Sequence, residues 1–199
     1  MSRALGVLLA LLLAFGGCNG DDGEGGSERT TTVPTASTTT TAHADPYAIP
    51  AVIDEAYAQK VVNELDRIDG AATRIVVSEG RFTEDAATHV AAVYLQPELD
   101  EQLRLWTDDV RDGLEEYLAP PGDVRSTVTR VLVAKPGCIQ VEVDRDFSDV
   151  ARDADKSALS FMTLLPKNGS QDRRSLNATP WMVAAAVTNT TAPPPHDAC

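Results

Sequence analysis

The apolar spacing of this chain changes at Pro120-Pro121-Gly122, and no other feature limits its fold so strongly. Before that break apolar residues recur every three or four positions. Ile53, Tyr57, Val61, Leu65 and Ile68 form one such stripe, with Gly70 as its expected stop. Thr83 offers an N-cap to a second helix carrying Ala87, Val90, Ala91 and Tyr94. Pro97 suits the start of a third, whose stripe runs through Leu99, Leu103, Trp106, Val110, Leu114 and Tyr117. Between the first two, Ile75-Val76-Val77 is a β-branched run that reads as a short strand or a connection.

After the break the period is two. Val124 to Ala134 reads as a strand and Lys135-Pro136-Gly137 as a turn. Ile139, Val141, Val143 and Phe147 then alternate with Gln140, Glu142, Asp144 and Asp146, which predicts a hairpin with one wet face. Phe161 to Leu165 and Trp181 to Val187 are further strands, and the polar stretch from Lys167 to Ala178 reads as an exposed loop. Helices followed by antiparallel strands define an α+β domain, with N-terminal helices packed on a curved antiparallel sheet.

That domain spans residues 46–199 and is preceded by two segments that cannot join a core. Arg3 is followed by an apolar run from Ala4 to Phe15 and then by Gly16, Gly17 and Cys18, the layout of an export signal over residues 1–17. The run is about a dozen residues, short of the roughly twenty needed to span a bilayer. Phe15-Gly16-Gly17-Cys18 resembles the lipobox of bacterial lipoproteins, with Phe15 where that family usually has Leu. The resemblance implies cleavage before Cys18, lipidation of Cys18 and attachment to the extracytoplasmic face of the cell membrane. A diacylglyceryl group exceeds the two-chain threshold for stable anchoring, since each buried methylene contributes about 0.8 kcal/mol. Secretion with a free Cys18 is the alternative. Residues 18–45 are rich in Gly, Ser and Thr and bury too little to offset their ordering entropy. They read as a disordered tether with a typical reach of about 25 to 30 Å.

Loss of Arg3 with the leader takes the formal charge from -13 to -14. So acidic a chain disfavours nucleic acid and anionic membrane surfaces as partners. Three cysteines is an odd number for an extracytoplasmic protein. Lipidation of Cys18 leaves Cys138 and Cys199, and their disulfide is expected to close a loop of about sixty residues, stabilising by roughly 3 to 4 kcal/mol. Cys138 shares parity with Gln140 and Glu142, so the tail through Pro193-Pro194-Pro195 should strap over the outer face of the sheet.

Arginine outnumbers lysine and alanine is abundant, the bias of a GC-rich genome. With the lipobox and the order of elements from Pro46 to Val187, the chain resembles small actinobacterial lipoproteins of unassigned role with an NTF2-like or cystatin-like cone. The resemblance implies an apolar pocket between sheet and helices, which members use for small-molecule binding, catalysis or dimer formation.

The chemistry-bearing residues are sparse. His89 neighbours Thr88 and lies one turn after Asp85, a pairing that suits a general base and equally a boundary histidine. Asp108, Asp109, Asp112, Glu115 and Glu116 are expected opposite Trp106, either as a loose Ca²⁺ site or as a solvated helix face. Asp144, Asp146, Ser148 and Asp155 mimic EF-hand spacing, but Asp149 occupies the place that needs glycine. No nucleophile, phosphate-loop or zinc motif is present, so no catalytic residue, metal or cofactor is assigned. Asn168, Asn177 and Asn189 head glycan-acceptor triplets, which chance explains in a bacterial lipoprotein. Trp181 and Trp106 read as core, with pocket lining as the alternative for both and for His89.

The function expected first is a non-enzymatic binding or interaction module held to the membrane by its lipid, taking a small apolar molecule or an envelope protein. The alternatives are a small NTF2-like enzyme that uses His89 or a buried carboxylate, and a structural envelope protein that dimerises through its sheet.

Overall fold

In a computed structural model the chain divides into two units, Met1–Ala42 and His43–Cys199. The residues described are 45–152, 156–167, 176–190, 192–193 and 195–199, all in the second unit. The leader, Cys18 and nearly all of the tether lie outside them. Among the described residues no helix is long and apolar enough to cross a membrane.

The domain is α+β, with three helices packed against a four-stranded antiparallel sheet. Helix α1 (Glu55–Glu79) begins where the Asp54 carboxylate accepts the Tyr57 N–H at 2.8 Å. It ends at Gly80, whose φ of 62° is the left-handed cap. This corrects two expectations, because α1 runs through Gly70 and takes in Ile75-Val76-Val77. The propensity cost of β-branched residues is a few tenths of a kcal/mol each, and burial of Ala72 and Val76 outweighs it. Gly70 is a close-approach residue, since a Cβ there would collide with the Asp123 side chain, which pairs with Arg74 one turn on.

Helix α2 (Glu84–Val93) starts as expected, with Thr83 Oγ1 accepting the Ala86 N–H at 3.2 Å. Helix α3 (Glu98–Asp112) stops earlier than its stripe suggests, at Gly113 (φ 105°) and Leu114 (φ 58°). Tyr117 therefore leaves the helix and folds back, its ring 5.6 Å from that of Trp106.

Strands β1 (Arg125–Lys135), β2 (Cys138–Asp146), β3 (Ser157–Pro166) and β4 (Trp181–Thr188) follow one another in a meander. Lys135 faces Cys138 across the tight turn, and Ile139 pairs with Leu164. The helical layer caps part of each sheet edge. Gln59 accepts the Val128 N–H at 2.7 Å and donates to Ser126 O at 2.8 Å, while Asp66 accepts the Ser126 N–H at 2.9 Å. On β4, Val183 O accepts from Leu95 N and the Ala186 N–H reaches Glu98 at 3.4 Å. These contacts occupy backbone groups that would otherwise template pairing with another chain.

Leu65, Ile68 and Val76 of α1 pack with Ile139, Val141, Leu164 and Val183 in the core. The outer face is drier than the alternation implies. Cys138, Gln140, Phe161, Thr163 and Met182 are all buried, and only Asp144 of the β2 acids is fully exposed. The C-terminus arrives at this face, where Lys135 Nζ donates to the Cys199 carbonyl. Cys138 and Cys199 stand 5.4 Å apart between Cα atoms, within the range compatible with a disulfide.

The loop between β3 and β4 is described at residues 167 and 176–180. Its last part is not the exposed loop expected. Asn177 is buried, donating to Ala92 O at 2.8 Å and Trp181 O at 3.0 Å while accepting from the Thr179 N–H and hydroxyl. An amide so engaged is closed to a glycan. Asn168 lies outside the described residues.

Candidate functional site

Of the three residues singled out in the sequence as pocket-lining, Trp106 is on the lining of the cavity described below, and Trp181 and His89 are not. Trp181 is completely buried in the core, its indole N–H donating to the Tyr57 hydroxyl at 3.0 Å. His89 stays on α2, its Nδ1 2.9 Å from Asp85 O, and lines no cavity with the other candidates. The α3 acids do not form the uniform solvated face expected. Asp108 pairs with Arg104 and Arg111, but Asp109 turns toward the loop and accepts the Tyr117 hydroxyl at 2.6 Å. The early end of α3 makes that contact by returning Tyr117 to it. Among the described residues no group of three or more His, Cys, Asp or Glu side chains is arranged to hold a metal ion. Asp155 of the EF-hand-like spacing lies outside them.

The cavity, about 660 Å³, lies between the helices and the end of the sheet. That volume is in the range of small-molecule sites, roughly 300 to 1,000 Å³. Helix α1 contributes Asp69 and Thr73, the segment after α2 contributes Tyr94, and α3 contributes Glu98 and Trp106. Tyr117 comes from the loop after α3, and β2 and the residues after it supply Arg145, Phe147 and Val150. Trp106 lies between the rings of Phe82 and Tyr117, which fixes one apolar wall.

Asp69 is the central polar group. Its carboxyl is surrounded by protein, and such exposure as it keeps is to the cavity. Burial raises its pKa from the ordinary carboxylate range to about 6; Asp66, one turn before it, adds to the rise. The positive charge of Arg145 and a hydrogen bond from Tyr94 act the other way. The Tyr94 hydroxyl is held well above its usual pKa by its own burial and by the Asp69 charge, so it stays a donor. Burial likewise raises Tyr117, and its bond to Asp109 raises it further.

Arg145 approaches from the opposite layer, its guanidinium 5.2 Å from the centre of the Phe147 ring. Its Nε is a buried N–H with no hydrogen-bond partner among the described residues. Leaving such a donor unsatisfied costs about 1 to 3 kcal/mol.

Sequence reasoning passed over these residues although a signal existed. Val62, Asp66, Asp69, Thr73 and Val76 fall on one stripe at three- and four-residue steps, so two acids interrupt a buried helix face. Arg145 continues the inward parity of Ile139, Val141 and Val143. Comparison with known proteins finds no matching family model, no similar curated protein and no similar solved structure.

Proposed function

We propose that this chain is an exported lipoprotein, anchored at the extracytoplasmic face of the cell membrane through Cys18, whose domain binds a small molecule in the cavity beside Asp69. The fold is read as an NTF2-like or cystatin-like cone with its ligand between helices and sheet. The observation that carries this reading is a cavity of ligand size lined by both a buried carboxyl with a raised pKa and an arginine that no described carboxylate pairs with. Empty core space is normally apolar; polar groups facing a cavity suit a ligand that satisfies them. The Thr-rich segment acts as a spacer between membrane and domain.

Two measurements test the two halves. Mass spectrometry of the mature protein should find Cys18 as the N-terminal residue carrying lipid, and an unmodified N-terminus elsewhere would refute the anchor. A thermal-shift screen of the purified mature chain against small metabolites and envelope lipids should find compounds that raise the melting temperature. No shift with any compound would count against the binding site.

A second reading is an enzyme, and one observation favours it: a carboxyl with a pKa of about 6, beside a tyrosine hydroxyl on the lining of a cavity, is suited to general acid–base catalysis. In that reading Asp69 exchanges the proton and Tyr94 or Arg145 steadies an oxygen of the substrate. His89 has no part in it, since it is not among the residues lining the cavity. Turnover that disappears in Asp69→Asn while ligand binding persists would select the enzyme over the binding module.

A further inference from the structure

The polar groups on the cavity lining are unequal in what they still have to offer. Asp69 lies beside the Tyr94 hydroxyl, and Asp109 accepts from Tyr117 at 2.6 Å. Glu98 accepts from Gln102 at 2.9 Å and from the Ala186 N–H at 3.4 Å, while Glu101 is bound to Arg104 at 2.6 Å. Arg145 differs. It lines the cavity, and among the described residues none of the ion pairs includes its guanidinium; its Nε is enclosed by protein, so the terminal nitrogens are the donors it offers a ligand.

A guanidinium presents a planar fork of five donors and takes a carboxylate in two parallel hydrogen bonds. Phe147 already lies against Arg145, and Trp106 stands in the same lining with Val150. A ligand that pairs with the fork therefore has apolar surface on either side of it. Four further carboxylates, Glu98, Glu101, Asp109 and Glu116, line the cavity as well. They oppose a ligand bearing several negative charges, such as a phosphate ester, more strongly than one bearing a single charge, and Glu101 is already neutralised by Arg104.

We propose that the cavity takes a small hydrophobic organic acid, with an aromatic or alicyclic body against Trp106 and Phe147 and one carboxylate seated on Arg145. The inference rests on the reading of this cavity as a ligand site and names the class of ligand.

Three probes that share a ring system and differ in charge separate the outcomes: naphthalene-2-carboxylate, naphthalene-2-carboxamide and naphthalen-2-ylmethylammonium. Each is titrated into the purified mature chain and its dissociation constant read from probe fluorescence. The carboxylate is expected to bind more tightly than the other two by about tenfold or more in Kd. Arg145→Met should remove that preference while amide affinity stays within about threefold. If Arg145→Met does not fold, Arg145→Lys serves, since it keeps the charge, loses the fork and should lower the preference. Ammonium binding as tight as the carboxylate, or a carboxylate preference that survives both substitutions, overturns the organic-acid assignment and leaves the cavity reading standing. Failure of all three probes overturns the cavity reading itself, and this inference with it.

Discussion

The Tyr94 hydroxyl lies beside the Asp69 carboxyl on the cavity lining and lowers its pKa against the effect of burial, bringing the residue that follows α2 to α1. Other charged or titratable groups around that carboxyl are Asp66 on α1, Glu98 and Asp109 on α3, Tyr117 after it and Arg145 on β2. Strands β3 and β4 add Ala158, Ala186 and Thr188, which do not titrate.

A pH dependence of stability follows from Asp69. Its folded pKa of about 6 is above that of an unfolded aspartate, so the folded state holds the proton more tightly. The favourable contribution is then present at low pH and is lost as pH rises from about 4 through about 6. A rise in pKa from about 4 to about 6 corresponds to roughly 3 kcal/mol. Asp69→Asn, which resembles the protonated form, should be more stable than the wild type at about pH 7.5 by up to that amount and nearly equal to it at about pH 4. Urea unfolding of both proteins at the two pH values measures the difference. Equal stabilities at the higher pH would mean that Asp69 is well solvated.

Gly70 offers a test of packing between α1 and the segment before β1. In an ordinary exposed helix Gly→Ala gains up to about 1 kcal/mol. Here the new methyl meets the carboxylate end of Asp123, a half-exposed side chain that can swing aside at the expense of its pair with Arg74, so Gly70→Ala is expected to forfeit that gain and change stability by less than about 0.5 kcal/mol. In an Asp123→Ala background the colliding group is gone, and Gly70→Ala should then show the full gain. A stabilising Gly70→Ala would contradict the close approach.

Asn177 ties the end of the β3–β4 loop to α2 and β4 at once. Asn177→Ala leaves the Ala92 and Trp181 carbonyls and the Thr179 donors short of partners. The expected loss is about 2 to 4 kcal/mol, measured as a fall in melting temperature of several degrees. A change within about 0.5 kcal/mol would show that solvent replaces those bonds.

The cysteines on the outer face are expected to be unreactive. Thiol titration of the mature chain without denaturant should find neither Cys138 nor Cys199 free, and Cys199→Ser should lower stability by roughly 3 to 4 kcal/mol. Two thiols that react in the native protein would exclude the pairing.

Much of the architecture was legible because local signals and burial agree. Thr83 caps the helix it precedes, and each strand in the structure overlaps the run of alternating or β-branched residues that marks it. Misreadings occurred where tertiary contact overrides local preference. Gly70 resembles a stop only until Asp123 is seen to need its space, and Ile75 to Val77 resemble a strand until the helix is seen to bury Val76 at their centre. The site was hidden for a different reason. Asp69 and Arg145 are ordinary surface residue types, and recognising them requires treating a charge at an inward position as information. Trp181 and His89 drew notice by their rarity, and rarity says nothing about which way a side chain points.

The most direct test of the central claim, that the space beside Asp69 is a ligand site, is a ligand-observed NMR screen run in parallel on the wild type and on a variant with that space filled. Ala158 faces Arg145 across the β2–β3 ladder and lines the cavity, so Ala158→Phe occupies it from the sheet side. Circular dichroism confirms that the variant is folded. The account predicts compounds that bind the wild type and lose at least about tenfold in affinity to the filled variant. Compounds that bind both proteins equally, or none that bind either, would contradict it.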